Sequence, residues 1–515
     1  MERESVVLID KKDRKIGLKD KVKAHLGNGF LHRAFMVFVF DNEGKILLQK
    51  RSADKMLWPL FWDCSCASHP RASETQEEAG TRRLKEEIGV NCPVGKISSF
   101  KYQAKYKNIG SEYEVCALLV GKYQGEIKAD PAEVAEWKWT DINDLKKDLK
   151  DNPKKYTPWL KIGLLQYLKY EQEKKLIKKK INNFLAEITD SVNKVMNNLL
   201  ALYADKENKE LIEYQVSTGG KRLRPALAII CCKLLGKKTK DVLYAAAGLE
   251  LIHNYSLIVD DVIDNSPLRR NEPTVWAKFG KSIAQCIGLD YSATIFQAAN
   301  RSKKSVEITE VFSRAIKEIF AGEVLDILFE QTGREEDPYV VKNRYKDITE
   351  DNYLEMVCKK TASLFGASCE IGAICADANL KETKLLKDYG FNLGMAFQIS
   401  DDILDIFGKE ESFGKKIGKD IEEGKGGNAV IFLASKEFSE EDKKVFWDII
   451  RKKSNTEEDI KMAINLIQKT NAKEKALDYA RSFAEKAKRD LFLLPQNKWN
   501  YFLMGITNLV VERDK

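Results

Sequence analysis

The sequence has no long apolar run and few prolines, and each shortage excludes a class of protein. The longest uninterrupted apolar runs, such as Ala34–Phe40, are far shorter than the roughly 20 residues that a membrane-spanning helix needs. The first residues are charged and no apolar stretch follows them, so no secretory signal is predicted. With 11 prolines and 43% hydrophobic residues, the composition is that of a folded protein and not a disordered one.

Cysteines and net charge restrict the protein further. Ten cysteines in 515 residues, some adjacent, such as Cys231 and Cys232, do not suit a disulfide framework. We therefore expect reduced thiols in a cytoplasmic protein. The formal net charge of +8 is diffuse and no aromatic-rich basic ladder accompanies it, so no nucleic-acid partner is predicted. A small anionic substrate agrees with this charge.

The first third of the chain combines strands with one clear helix. Ala34–Phe40 and Lys45–Leu48 flank the turn-forming Asp41–Gly44, which predicts a β-hairpin. Glu74–Ile88 predicts a helix that Gly89 terminates. These features are typical of an α/β or α+β domain.

After residue 169 the texture of the sequence changes. A lysine-rich helical stretch comes first, and apolar residues then recur at i, i+3, i+4 and i+7 up to the end of the chain. We therefore predict a two-domain protein. It comprises an α/β (α+β) domain over residues 1–168, a charged helical linker over 169–182 and an all-α domain over 183–515.

Two acidic motifs are the main chemical feature of the all-α region. Each has carboxylates at positions i, i+1 and i+4 of an apolar helix; the six residues are Asp260, Asp261, Asp264, Asp401, Asp402 and Asp405. The apolar flanks draw these carboxylates into the interior, where several like charges need compensating cations. Carboxylate oxygens are ligands of Mg²⁺, which shares its coordination shell with substrate phosphates.

Basic residues lie near both motifs in the sequence. They are Lys221, Arg224, Arg269, Arg270, Lys360, Lys416 and Lys425. Lysine and arginine bind phosphate oxygens directly. Acidic and basic residues together predict a site for two diphosphates, one held through metal and one held by side chains.

This ordered set resembles the trans-type short-chain prenyl diphosphate synthases, the farnesyl and geranylgeranyl diphosphate synthase family, over residues 185–515. The resemblance implies a helical bundle, three Mg²⁺ ions held by the six aspartates, and a homodimer or higher homo-oligomer. It implies allylic diphosphate binding assisted by Arg269, Lys360, Thr361, Gln398, Lys416 and Lys425. It assigns the diphosphate of isopentenyl diphosphate to Lys221, Arg224, His253 and Arg270.

The first domain holds three of the four histidines of the chain. Three histidines within 45 residues, His25, His32 and His69, suggest shared metal ligation. Glu112 and Glu114 alternate on a predicted strand, so they share a face and can complete a five-ligand site. Histidine and carboxylate ligands together admit Zn²⁺, Mn²⁺ or Mg²⁺.

The helix ending at Gly89 is close to a Nudix helix, although Arg83 stands where that motif has a glutamate. The domain resembles type 1 isopentenyl diphosphate isomerase, a Nudix-fold enzyme, over roughly residues 5–168. The resemblance implies a metal held by the His/Glu set and a Mg²⁺ held by Glu87 with the substrate diphosphate. It assigns roles in diphosphate binding, cation stabilisation and proton transfer to Lys21, Arg51, Lys55, Arg83, Tyr102, Glu114 and Trp159.

One position departs from the isomerase family. The family cysteine lies two residues before the histidine of the Ser-His-Pro motif, and this chain has Ala67 there. Three explanations stay open. Cys66 or Tyr102 transfers the proton in place of the family cysteine, the cysteine has simply been substituted at this position, or the domain binds its substrate without converting it. Since one residue along a strand reverses the side-chain direction, we expect Cys66 to point away.

The leading hypothesis is a bifunctional enzyme. The first domain would isomerise isopentenyl diphosphate to dimethylallyl diphosphate, and the second would condense this and longer allylic diphosphates with isopentenyl diphosphate. Two alternatives stay open for the first domain, a non-catalytic diphosphate-binding module and a Nudix hydrolase.

Product length is predicted from the residues before the first acidic motif. Tyr255 and Ser256 lie five and four residues before Asp260, on nearly the same helix face and about 7.5 and 6 Å along the axis. A bulky Tyr255 with no insertion between Asp261 and Asp264 resembles archaeal-type geranylgeranyl synthases, so a C20 product is expected, with C15 as the alternative.

Overall fold

The structure, a computed structural model, describes residues 5–408 and 417–511. The chain forms two compact units, Met1–Leu176 and Ile177–Lys515, and the boundary falls within the helix Pro158–Leu200. In the described ranges no helix is both long and apolar enough to cross a membrane.

The strands of the first unit form one mixed sheet. They are β1 (Ser5–Ile9), β2 (Lys15–Asp20), β3 (His32–Phe40), β4 (Ile46–Arg51), β5 (Trp62–Asp63), β6 (Cys66–Ser68), β7 (Val94–Tyr106), β8 (Gly110–Lys122) and β9 (Val134–Thr140). The helices are α1 (Lys21–His25), α2 (Gln76–Ile88), α3 (Ile142–Asp151) and α4 (Pro158–Leu200).

The central strand β3 organises this sheet. It runs parallel to β8 along its whole length and antiparallel to β1, β4 and β6, while β7 and β8 form a long hairpin. The predicted β3–β4 hairpin is confirmed, and its turn is closed by the Asp41 carboxylate, which accepts hydrogen bonds from the backbone of Glu43 and Lys45.

Separate hydrophobic cores cover the two faces of the sheet. On one face α2 packs Leu84 and Ile88 against β3 and β8. Its start is fixed by a capping box between Thr75 and Glu78, and its end is the predicted Gly89 in the left-handed conformation. The other face packs against the start of α4, and Tyr102 and Trp159 lie on that side.

The second unit is built almost entirely from helices. Its described helices are α5 (Lys209–Ser217), α6 (Leu223–Leu234), α7 (Leu243–Ile263), α8 (Val275–Phe279), α9 (Lys281–Asn300), α10 (Ser305–Phe329), α11 (Pro338–Asn343), α12 (Glu350–Val357), α13 (Ser363–Cys375), α14 (Leu380–Phe407), α15 (Lys419–Glu422), α16 (Ala429–Ser435), α17 (Glu440–Ile450), α18 (Glu457–Gln468), α19 (Ala472–Phe492) and α20 (Lys498–Val511).

Two irregular segments interrupt the helical pattern at predicted site residues. A two-stranded ribbon pairs Leu268–Arg269 with Glu272–Pro273, and its turn residue Arg270 has a φ of 57°. A π-helical turn, Cys358–Ala362, joins α12 to α13 and contains Lys360 and Thr361. Such wide turns are frequent at functional sites, because they turn side chains that a regular helix would direct elsewhere.

Two candidate active sites

In the first unit, the five residues of the predicted His/Glu set converge. One ligand atom from each of them lies within 4.8 Å of the others, and the residues are His25, His32, His69, Glu112 and Glu114. The Nε2 atoms of His32 and His69 are 3.0 Å apart, and Glu114 Oε1 lies 3.0 Å from His69 Nε2. Glu112 reaches His25 Nε2 at 2.8 Å.

Backbone contacts orient these rings toward a common centre. His25 Nδ1 lies 2.6 Å from the carbonyl of Lys21, and His32 Nδ1 lies 2.6 Å from that of Phe30. A ring nitrogen that donates to a carbonyl leaves the other nitrogen free to bind a metal. His32 and Glu114 are paired in register across β3 and β8, which fixes two of the side chains side by side. The donor set therefore suits one divalent cation.

Burial and charge shift the pKa values in this cluster. Burial alone would lower the pKa of His25, but its contact with Glu112 raises it to about 9. Burial and the neighbouring imidazoles lower the pKa of His69 well below its ordinary value. Burial raises the pKa of Glu114, and the bond to His32 outweighs this and lowers it. The Glu114 carboxylate is therefore charged around neutral pH, as a metal ligand must be.

Tyr102 and Trp159 lie beside this cluster. The Tyr102 hydroxyl donates a 2.7 Å hydrogen bond to Glu114 Oε2. The ring centroids of Tyr102 and Trp159 are 6.1 Å apart. Burial, followed by the charge of Glu114, raises the pKa of Tyr102 well above its ordinary value, so the phenol keeps its proton. A proton donor, a carboxylate and an indole face thus lie in one region.

The structure shows the direction of the Cys66 side chain. Cys66 is fully buried in the core beneath α2, next to Leu84, whereas Ala67 packs on the opposite face with Tyr102 and Trp159. Burial, followed by the charge of Glu87, raises the pKa of the Cys66 thiol well above its ordinary value. Cys66 therefore lies on the side of the sheet away from Tyr102.

Two of the residues assigned to the diphosphate, Lys55 and Arg83, form ion pairs with Glu133, which the sequence analysis missed. Arg83 contacts Glu87 at 2.5 Å and Glu133 at 3.2 Å, and Lys55 also pairs with Glu133. Burial opposes the charged form of Glu133, but Lys55 and Arg83 lower its pKa to about 2. Lys21 begins α1, and Arg51 pairs with Asp63 at 3.2 Å. Lys55 and Arg83 are thus held near one another through Glu133, and Arg83 also lies next to Glu87.

In the second unit, the first acidic motif closes α7. Asp261 is 1% exposed and receives two hydrogen bonds from Arg269 Nε, at 2.8 and 3.1 Å. Asp264 lies 3.3 Å from Lys425 Nζ. Burial and then the charge of Glu323 raise the pKa of Asp260 to about 7. The motif thus carries more negative charge than its neighbours neutralise, which suits a bound cation.

The second acidic motif lies on α14. Asp402 accepts hydrogen bonds from Tyr353, from Gln398 and from the backbone of Ala429, at 2.7 to 2.9 Å. Burial and then the charge of Asp420 raise its pKa to about 8. Three of the lone-pair directions of Asp402 are thus already used within the protein. Thr361 also contacts Gln398, at 2.8 Å.

A pair of acidic residues on α10 was missed by the sequence analysis. Lys360 Nζ lies 2.7 Å from Glu323 and 2.6 Å from Asp326. The π-helical turn can approach α10 this closely because Gly322 has no side chain. A Cβ at this position would lie 2.3 Å from the backbone nitrogen of Lys360. Two carboxylates three residues apart in an apolar helix are the signal that could have revealed them.

Asn428 links the loop after Lys425 to the second motif. Its amide nitrogen donates to Asp420 at 2.8 Å, and its side-chain oxygen accepts a hydrogen bond from Val430 at the start of α16. Asp420 in turn uses its backbone nitrogen to reach Asp405. The predicted ligand Lys416 lies outside the described residues. Asp420 and Asn428 are therefore additional residues that hold the acidic motif in place.

Basic residues form a separate cluster at the start of α6. Burial lowers the pKa of Arg224 to about 10. Burial and then the charge of Arg224 lower the pKa of His253 well below its ordinary value. Arg270 donates to the carbonyl of Gly219, and Lys221 is exposed at the edge of the cluster. Several cations beside a neutral imidazole suit a polyanionic ligand.

The candidates for chain-length control lie on α7. A Cβ at Gly288 of α9 would lie 3.3 Å from the ring of Tyr255, so the absence of a side chain at Gly288 leaves space for this ring. Ser256 is half-buried, and its hydroxyl donates to the carbonyl of His253.

Comparisons with known proteins identify related families. A family model described as polyprenyl synthetase matches residues 205–467, and one described as NUDIX domain matches residues 30–160. A short chain isoprenyl diphosphate synthase of Methanocaldococcus jannaschii is 38% identical over 50% of this chain and 75% of its own. An isopentenyl-diphosphate Delta-isomerase of Photorhabdus laumondii is 42% identical over 34% of this chain and 99% of its own.

Solved structures agree with these matches. The crystal structure of geranylgeranyl pyrophosphate synthetase from Pyrococcus horikoshii is similar with a TM-score of 0.59 and 29% identity, over 65% of this chain and 99% of that one. The predicted fusion of two domains and the predicted fold classes are thus confirmed.

Proposed function

We propose, since this chain belongs to the polyprenyl synthetase family and carries a Nudix domain ahead of that region, that it both produces and consumes the allylic primer of isoprenoid synthesis. The first unit isomerises isopentenyl diphosphate to dimethylallyl diphosphate. The second unit condenses that product with further isopentenyl diphosphate to a C20 chain. Both reactions start from one substrate, so a single supplied diphosphate is sufficient.

The observation that carries the first activity is the convergence of three histidine Nε2 atoms with Glu112 and Glu114. These residues would hold one divalent metal, Zn²⁺, Mn²⁺ or Mg²⁺, which would keep Glu114 ionised and fixed. Glu114 and Tyr102 share a hydrogen bond and are the proton-transferring pair on that face. The alkene takes up a proton there, and the indole of Trp159 stabilises the tertiary cation. Loss of a proton from C2, on the other side of the carbocation, then gives dimethylallyl diphosphate.

The diphosphate of the first substrate would be bound by Arg51, Lys55, Arg83 and Lys21. Glu87 would hold Mg²⁺ against the same diphosphate, which would neutralise phosphate charge. Arg83 and Lys55 now pair with Glu133, and they would exchange this partner for phosphate oxygens on binding.

In the second unit, the carboxylates of the two acidic motifs would hold up to three Mg²⁺ ions, whose charge would stabilise the departing diphosphate. Lys360 and Lys425, with Arg269, supply further positive charge to the same leaving group. Arg224, Arg270, Lys221 and the neutral His253 bind the diphosphate of isopentenyl diphosphate. The apolar interior keeps water from the allylic cation until the new bond forms and a proton leaves.

A C20 product is supported by the position of the Tyr255 ring, which packs against α9 at Gly288. The similar Pyrococcus horikoshii protein is a geranylgeranyl pyrophosphate synthetase, which agrees with this length. A C15 product is the alternative.

The second unit is expected to assemble as a homodimer or higher homo-oligomer. Leu289 and Phe296, seven residues apart on α9, are 72% and 58% exposed, and Phe320 on α10 is 69% exposed. Light scattering on the purified chain measures the mass, and Phe296→Glu should reduce it; a wild-type monomer would contradict this assembly.

One experiment tests the bifunctional proposal. The full chain is supplied with isopentenyl diphosphate and Mg²⁺ only, and products are analysed by chain length. We expect prenyl diphosphates to form. His25→Ala and Glu114→Gln should abolish this, and added dimethylallyl diphosphate should restore it, because their sites lie wholly in the first unit. Asp260→Asn is the matched control that should stop elongation but not isomerisation.

A second candidate function follows from Ala67. Without a thiol at this position, the first unit can be a diphosphate-binding module that does not turn over. Prenyl products that appear only after dimethylallyl diphosphate is added, together with measurable isopentenyl diphosphate binding by the first unit, would favour this candidate.

A further inference from the structure

Asp63 is a buried carboxylate that connects two residues with different proposed tasks. It lies at the end of β5, paired in register with Gln49 of β4, and is 0% exposed. Its Oδ1 atom accepts hydrogen bonds from Trp159 Nε1 at 2.7 Å and from Thr157 Oγ1 at 2.9 Å. Its Oδ2 atom accepts one from Arg51 Nη1 at 3.2 Å.

These donors account for a charged group in the interior. A carboxylate is expensive to bury unless it is paired and hydrogen-bonded, and Asp63 has a guanidinium, a hydroxyl and an indole N–H around it. The backbone nitrogen of Cys64 adds a further bond at 2.8 Å. Asp63 is therefore a hydrogen-bond acceptor through both oxygens, and the position of these oxygens is fixed from several directions.

The partners of Asp63 are also constrained by other contacts. Arg51 donates to the carbonyls of Leu57 and Trp58, at 3.0 and 3.1 Å, and its Cζ lies 5.3 Å from the centroid of the Trp159 ring. The ring of Trp58 meets that of Trp159 edge-on, with centroids 5.1 Å apart. The indole is thus held at its N–H by Asp63 and at its face by neighbouring groups.

A carboxylate on the indole N–H changes more than geometry. Charge-assisted hydrogen bonds are stronger than neutral ones, and negative charge at the ring edge makes the ring face more attractive to a cation. Arg51, meanwhile, is assigned to the diphosphate. Asp63 therefore fixes both Trp159, which is assigned to the hydrocarbon end of the substrate, and Arg51, which is assigned to its diphosphate.

We propose that Asp63 is a positioning residue of the isomerisation, acting through Trp159 on the carbocation and through Arg51 on the placement of the diphosphate. This role rests on the isomerase activity proposed above. The larger effect is on Trp159, since Arg51 retains two backbone acceptors without Asp63 whereas the indole N–H loses a charged one.

The test compares Asp63→Asn with Thr157→Val in the full chain with Mg²⁺, measuring conversion of isopentenyl to dimethylallyl diphosphate. Asparagine keeps the shape and an acceptor oxygen but removes the charge, so kcat should fall about tenfold while KM changes less than about threefold. Thr157→Val removes a hydrogen bond to the same oxygen without touching the indole, and kcat should stay within about twofold.

A double-mutant cycle shows whether Asp63 acts through the indole. In a Trp159→Phe background, which has no N–H, Asp63→Asn should cost less than about threefold further in kcat. Equal losses in both backgrounds, or an equal loss in Thr157→Val, would overturn the proposal. Absence of turnover in the wild type would refute the isomerase activity and the role of Asp63 together; wild-type turnover with an unchanged Asp63→Asn would refute the role alone.

A measurement on the unmodified chain keeps the proposal testable if Asp63→Asn does not fold. In a chain labelled with ¹⁵N-tryptophan, Trp159→Phe identifies the indole resonance of Trp159. We expect that proton to be shifted downfield and protected from exchange, as in a bond to a buried carboxylate. A rapidly exchanging proton at the position of an exposed indole would overturn the proposal.

Discussion

Replacing Arg222 by methionine should destabilise the second unit and weaken binding of isopentenyl diphosphate. Arg222 is 1% exposed, has a φ of 47°, and sits between Lys221 and Arg224 in the sequence. Its guanidinium donates to Gly219 O at 2.7 Å, to Val216 O at 2.9 Å and to Glu250 Oε1 at 3.1 Å. It thereby fixes the loop that carries two of the predicted phosphate ligands.

The magnitude follows from the burial of Glu250, which is 2% exposed. Among the described residues its Oε2 atom has no hydrogen-bond partner, so removal of Arg222 takes away the donor that Glu250 has in the interior. Breaking one partner of a buried ion pair costs about 3–5 kcal/mol. Adding Glu250→Gln to Arg222→Met removes the unpaired charge and should recover about 1–3 kcal/mol of the free energy of unfolding.

The kinetic effect should be confined to one substrate. The Gly219 carbonyl also accepts a hydrogen bond from Arg270, so loss of Arg222 should displace the loop and raise the KM for isopentenyl diphosphate about tenfold, equivalent to about 1.4 kcal/mol. The KM for dimethylallyl diphosphate should change less than about twofold, because its predicted ligands lie elsewhere. Glu250→Gln should restore stability but not this KM.

Urea unfolding followed by helical circular dichroism measures the stability, and steady-state kinetics with supplied primer measures both KM values. Lys237→Met is the control, because its pair with Asp377 is exposed and should contribute less than about 1 kcal/mol. A loss below 1 kcal/mol in Arg222→Met, or equal increases in both KM values, would refute this reasoning.

Three further outcomes are expected. Ala67→Cys should raise isomerisation at least tenfold by restoring an acid/base group, whereas Cys66→Ser should change it less than about twofold; an inactive Cys66→Ser with intact metal content would contradict this. Tyr255→Ala should extend the product beyond C20. An unchanged distribution of product lengths would show that Tyr255 does not limit the length of the chain. Since burial raises the pKa of Asp260 to about 7 and of Asp402 to about 8, protons compete with Mg²⁺ at pH 6; the half-saturating Mg²⁺ concentration should fall as pH rises to 8, and a pH-independent value would refute it.

Local features of this protein could be predicted from the sequence because their spacing is fixed by covalent geometry. The capped helix ending at Gly89, the hairpin closed by Asp41 and the carboxylates at i, i+1 and i+4 follow from helix and strand periods alone. The same alternation predicted that Cys66 points away from Ala67, and the two side chains do lie on opposite faces.

The contacts that complete each site could not be predicted in this way. Asp63 accepts a hydrogen bond from Trp159, which is 96 residues away in the sequence, and Asp264 accepts one from Lys425, which is 161 residues away. No periodicity encodes such pairs, because they depend on how separate elements pack. Gly322 illustrates the limit, since its importance becomes visible only once the π-helical turn lies against it.

The sequence by itself determined the two fold classes, the ligand types and the families that the chain resembles, since these depend on residue identity and short spacing. Only the tertiary structure decided which buried charges neutralise one another, as for Arg222 with Glu250 and Lys360 with Asp326. A buried charge must find its counter-charge wherever packing brings one close, and that partner is set by the fold and not by position along the chain.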